Sequence, residues 1–193
     1  MNQVMTKKIA FIFTGIIIIA IATYGFINYN STPFDEKSSL VHWYTFGEAV
    51  NLQKKNPKII MVDVYTSWCG PCKMMAANTF NNEVIAKYLN EHFYPVRFDA
   101  ETRDSVAFNN VVFKNNNPPE THRPVHDFAI SILDGKLSYP SVVFVDEEIK
   151  RVQTIVGYHR ADQFEPIIKF IGSKVYKTTK YEEFQKTFVA EVK

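Results

Sequence analysis

Cysteine is nearly absent from this chain: two residues in 193, Cys69 and Cys72. A structural zinc wants about four ligands, and the chain offers one thiolate pair. His42, His92, His122, His126 and His159 show no ligand spacing around that pair, so no metal or other cofactor is expected. Charge of one sign is lacking too. The net charge is +2, and there is no basic stripe, repeat or low-complexity tract, so no nucleic-acid partner is implied. Long apolar runs are missing except for one, Ile9 to Ile27. No cysteine stands directly after it, which excludes a lipid-anchored lipoprotein.

That one run carries no charge and has the length of a membrane-spanning helix. Lys7 and Lys8 precede it, and Asp35 and Glu36 follow beyond a polar stretch. The positive-inside rule then keeps the N-terminus in the cytoplasm and exports the remainder. Ala20-Ile21-Ala22 also has the small-x-small pattern of a signal-peptide cleavage site. Residues 1–30 are thus read as a signal-anchor or a cleaved signal peptide. Either reading places the rest in the periplasm or outside the cell, anchored in one case and secreted in the other. Residues 31–39 are polar and read as a tether, and 40–193 as one domain of suitable size.

Within that domain strands and helices alternate. Leu40–Tyr44 reads as a short strand. Thr45 and Glu48 form a capping box for a helix reaching about Lys55. Lys58–Tyr65 is apolar and β-branched, a strand buried on both faces. Val84, Ile85, Tyr88, Leu89 and Phe93 line one helical face. Residues 95–99 form the next strand. Val125, Phe128, Ala129, Ile132 and Leu133 mark a further helix between Pro124 and Gly135. Strands at 141–146 and 151–157 precede a helix striped by Phe164, Ile167, Ile168 and Ile171. Such alternation predicts an α/β sandwich.

The two cysteines sit where the buried strand meets a helix. Lys73-Met-Met-Ala-Ala77 favours helix, which puts Cys69 at a helix N-terminus. Unpaired backbone N–H groups and the helix dipole there favour a thiolate. Pro71 suits a first turn, where no N–H is needed. Cys72 lies nearly one turn on, within reach of Cys69. Half a zinc site or a static disulfide shares the bare Cys-x-x-Cys spacing.

The string Trp68-Cys69-Gly70-Pro71-Cys72-Lys73 resembles the active-site signature of the thioredoxin family. Asp63, six residues earlier, stands where that family keeps a buried carboxylate. Tyr139-Pro140-Ser141 before Val142–Val145 resembles its cis-proline, and Gly157 before an amphipathic helix fits as well. The resemblance spans about residues 40–172. It implies a thioredoxin fold, a central mixed sheet flanked by helices, and thiol–disulfide oxidoreductase activity. Cys69 would attack, Cys72 resolve and Asp63 exchange protons with Cys72, while Trp68, Gly70, Pro71, Tyr139 and Pro140 meet substrate. The expected partners are disulfide-containing proteins and a membrane thiol–disulfide reductase as electron donor. The expected direction is reductive, with oxidase or isomerase as the alternative. A redox-inert binding or chaperone module is the alternative of another class.

Three departures stand out. An insertion at about 100–123 holds two apolar runs around Asn109-Asn110, a hairpin signal. Thr179-x-x-Glu182 is a capping box that predicts an added C-terminal helix at about 179–190. Tyr139 and Ser141 flank the proline. The insertion's helix leads into Pro140, so the insertion is expected either to shape a partner surface near Cys69 or merely to extend or cap the sheet.

Overall fold

The computed structural model describes residues 39–108 and 111–193. The expected membrane segment and most of the tether lie outside them. Among the described residues, no helix is long and apolar enough to cross a membrane.

Helix α1 (Phe46–Lys55) opens on the expected box. Thr45 Oγ1 accepts from the Glu48 N–H, and Glu48 Oε2 accepts from the Thr45 N–H. The expected strand Leu40–Tyr44 is only a single parallel bridge from Tyr44 to Val96. Side-chain amides explain why. Asn81 and Asn90 take the N–H groups of Leu40 and His42, and Asn90 donates to the Leu40 carbonyl. The backbone groups a ladder would use are already engaged.

Strand β1 (Ile59–Tyr65) runs into α2 (Gly70–Met75), which continues as a π-helical turn over Ala76–Phe80. Then come α3 (Glu83–His92) and β2 (Phe93–Asp99). The insertion forms the hairpin β3 (Val106–Phe108) and β4 (Val111–Phe113), antiparallel as expected. Helix α4 (Asp127–Ile132), strands β5 (Ser141–Val145) and β6 (Arg151–Val156), helix α5 (Ala161–Gly172), a 3-10 turn at Val175–Lys177 and helix α6 (Tyr181–Thr187) complete the chain.

Helix α4 is shorter than the apolar repeat predicted. His126 caps it: Nδ1 accepts from the Phe128 N–H, which leaves Val125 outside. Helix α6 starts with Lys180 as its cap and no side-chain cap bond, so the box at Thr179 does not form. The Thr179 N–H instead bonds the Val175 carbonyl of the preceding turn.

The mixed sheet has the order β2-β1-β5-β6. β1 is parallel to β2 and antiparallel to β5, which is antiparallel to β6. Alternation along β1 sorts its side chains between two cores. Ile59 and Met61 pack with Met75, Phe80, Leu89, Phe93 and Phe164, under α2, α3 and α5. Ile60, Val62 and Val64 pack with Phe46, Val96, Phe98 and Phe128, under α1 and α4. Asp63 therefore falls on the face that α2 covers. The hairpin belongs to the other face, with Phe108 against Phe46 and Phe113 against Phe128.

Candidate active site

Antiparallel pairing sets the site at one end of the sheet. Val64 near the end of β1 pairs with Ser141 at the start of β5. The Trp68–Cys72 turn and the Tyr139-Pro140 corner therefore leave the sheet at the same end. β2 is parallel to β1, so Asp99 and the insertion leave there too.

The turn after β1 closes when the Cys69 N–H bonds the Thr66 carbonyl at 3.2 Å. Cys69 caps α2, and its Sγ accepts from the Cys72 N–H at 3.1 Å. Pro71 occupies the first turn, where it forfeits no bond. The cysteines are joined as a disulfide across a Cα–Cα distance of 5.3 Å. Both are buried, whereas Trp68 beside them is 45% exposed. Gly70 is exposed, and a side chain there would meet open space.

Asp63 is fully buried beneath the α2 face. Burial pushes its carboxyl up to about 7, and Arg97 pulls it back part of the way. Arg97 lies directly across the β1–β2 register, with Nε 3.7 Å from Asp63 Oδ2. Its guanidinium is held over the Tyr65 ring at 4.5 Å. Asp63 Oδ1 has no hydrogen-bond partner among the described residues, so a proton on this carboxyl relieves an otherwise costly buried charge.

The Tyr139–Pro140 bond is cis, the isomer the resemblance implies. The Gly157 N–H donates to the Pro140 carbonyl at 2.8 Å, and Ser141 Oγ donates to the Ser138 carbonyl. Gly157 has φ 90°, a conformation that favours glycine. Tyr139 and Trp68 meet in a T-shaped arrangement with centroids 6.2 Å apart. The Tyr139 hydroxyl is buried without a hydrogen-bond partner among the described residues. Burial, with Glu101 and Asp99 adding to it, makes that hydroxyl less acidic than usual.

Three residues at the site were not singled out from the sequence. Arg97 is the one charge in the apolar strand 93–98, a signal that a strand-pairing argument for Asp63 would have used. Glu101 accepts from Trp68 Nε1–H at 2.9 Å. The Arg123 guanidinium lies 4.0 Å from the Trp68 ring centroid. Both belong to the insertion, and only the folded chain brings them to Trp68. Among the described residues no cluster of three or more potential metal ligands occurs.

Comparison with known proteins agrees with this geometry. The thioredoxin of Thermus thermophilus superposes with a TM-score of 0.52 at 17% identity, covering 69% of this chain and 88% of that one. A family model, Thioredox_DsbH, described as a protein of unknown function (DUF255), matches residues 30–118. The chain has the thioredoxin fold and is similar to thioredoxin-like thiol–disulfide oxidoreductases. Among curated relatives of this thioredoxin-like chain, mouse (Mus musculus) spermatogenesis-associated protein 20 is 43% identical over 67 residues, 34% of this chain and 8% of that protein. The thiol:disulfide interchange protein DsbD of Neisseria meningitidis is 24% identical over 179 residues, 82% of this chain and 26% of that one. The chain thus spans a minor part of the length of these two relatives.

Proposed function

We propose that this thioredoxin-like domain reduces protein disulfides in the cell envelope through Cys69 and Cys72. The observation that carries the reading is the capped cysteine turn: Cys69 at the mouth of α2, bonded to Cys72, above a face that buries Asp63. Likeness to an interchange protein supports it, as do the Trp-Cys-Gly-Pro-Cys string and the cis proline.

The reduced pair starts the cycle. Cys69 thiolate attacks one sulfur of a substrate disulfide, and the other leaves as a thiolate that takes up a proton. Cys72 then gives its proton to Asp63, directly or through water, and attacks Cys69. The Cys69–substrate bond breaks, and the substrate's second sulfur departs reduced. Asp63, with a carboxyl near 7, ionises readily enough to serve as that base at neutral pH. Gly70 and Pro71 keep the turn close to the incoming chain, Trp68 offers an apolar wall, and Tyr139 and Pro140 hold substrate backbone beside the sulfurs. No cofactor beyond the cysteine pair enters this scheme.

Each turnover leaves the domain oxidised, so electrons must return. The apolar stretch 9–27 with Lys7-Lys8 before it supports export of the domain, tethered by that segment or released by cleavage. It carries no cysteine, so an external membrane thiol–disulfide reductase supplies the electrons.

In the test, Cys72→Ser is expressed in the native cell and proteins linked to Cys69 are captured. Mixed disulfides that vanish in Cys69→Ser/Cys72→Ser are expected. Purified wild-type protein should also reduce insulin with dithiothreitol as donor. No trapped species and no insulin reduction would contradict the reading.

A further inference from the structure

The insertion places a positive charge on the one half-exposed aromatic beside the cysteines. Trp68 is held on several sides. Its indole N–H lies in the ring plane and donates to Glu101. Tyr139 meets the ring at an interplanar angle of 81°. The Arg123 guanidinium covers a face at 4.0 Å. We propose that Arg123 is a specificity-determining residue, stacked on Trp68 to select disulfide substrates that carry a carboxylate next to the reacting cystine. This rests on the reductase reading above.

Three observations carry it. First, Trp68 adjoins Cys69 in the chain, so the residues flanking a cysteine bound to Cys69 must pass the indole. Second, Arg123 is exposed, and it makes no ion pair among the described residues. A guanidinium stacked on an aromatic ring keeps its N–H edge available and pre-oriented for a bidentate carboxylate. Third, Arg123 has φ 56°, uncommon for a residue other than glycine, and it stands directly before Pro124. Such conformations concentrate at functional sites.

Neighbouring acids do not cancel the offer. Glu101 lies toward the indole N–H edge rather than over the face, and its carboxylate is engaged there. Asp99 is half-buried and accepts from the Glu101 N–H.

The test compares two cystine peptides, identical except for Glu or Lys beside the cystine. The full chain in detergent micelles reduces each at low salt. Wild type should favour the Glu peptide about fivefold in kcat/KM, the scale of an exposed ion pair worth ~1 kcal/mol, and salt should erode the preference. Arg123→Ala should remove it by lowering the Glu-peptide rate without lowering the Lys-peptide rate, with the thermal midpoint unchanged. Arg123→Lys should retain part. Equal reduction of both peptides by wild type overturns this inference and leaves the reductase reading standing. So does an equal loss on both in Arg123→Ala, which would mark Arg123 as a prop for Trp68. Reduction of neither peptide sinks both.

Discussion

Asp63 binds its proton more tightly in the folded protein than in the unfolded chain, because burial outweighs the attraction of Arg97. The sign of the resulting pH dependence follows. Between the ordinary carboxyl value of 3.8 and about 7, the native state holds a proton that the unfolded state has lost. Stability from this group is full below that window and falls as pH rises through it. Asp63→Asn should therefore gain on wild type from pH ~4 to ~7 and hold the gain above, by a few kcal/mol at ~1.4 kcal/mol per unit. Urea unfolding at several pH values reads this directly. The same variant should slow resolution of the mixed disulfide by about 10²-fold, the lower range for a lost general base. Arg97→Met removes the pull that lowers Asp63, so the pH at which resolution reaches half its maximum should move upward. An unchanged profile in stopped-flow would separate Arg97 from the proton step. Asp63 was legible from its place in an apolar strand. Arg97 was not, because the pair exists only once β1 and β2 align Asp63 with it.

The insertion is partly core. Phe108 and Phe113 pack against Phe46 and Phe128, so removing 104–117 would uncover aromatic surface as well as any partner surface. Finer changes separate the two roles. Val111 and Val112 are more than half exposed, and their double change to Thr should shift stability by no more than about 0.5 kcal/mol. His126 is fully buried, accepting from Phe128 N–H and bonding the Asp104 carbonyl through Nε2. His126→Ala should cost about 2 kcal/mol through the lost cap and an orphaned carbonyl, measurable in the same unfolding experiment. The elements most legible from sequence were those fixed by local patterns: β1 by its apolar run, α1 by Thr45 and Glu48, the hairpin by its central asparagines. Elements decided by distant side chains were misjudged. Asn81 and Asn90 dissolve the strand expected at 40–44. The adjacent His126 trims α4 by a local cap that the apolar repeat does not register. The π turn after α2 had no signal of its own.

At the scale of the molecule, one end of a four-stranded sheet gathers everything the chemistry uses. β1 delivers the cysteines, β5 the cis proline, and the connection after β2 the residues that hold Trp68. The fold class was legible because strand and helix periods alternate so regularly. The clamp on Trp68 was not, because it joins Glu101 and Arg123 across 22 residues of insertion. The proposed reductive direction requires a dithiol that gives up its electrons readily, and that is a property of the Cys69–Cys72 pair. Its equilibrium potential against glutathione, measured on the full chain in micelles, tests the claim most directly. The account predicts a value near −270 mV, about that of reducing thioredoxins. A value above about −180 mV, in the range of isomerases and oxidases, would contradict it.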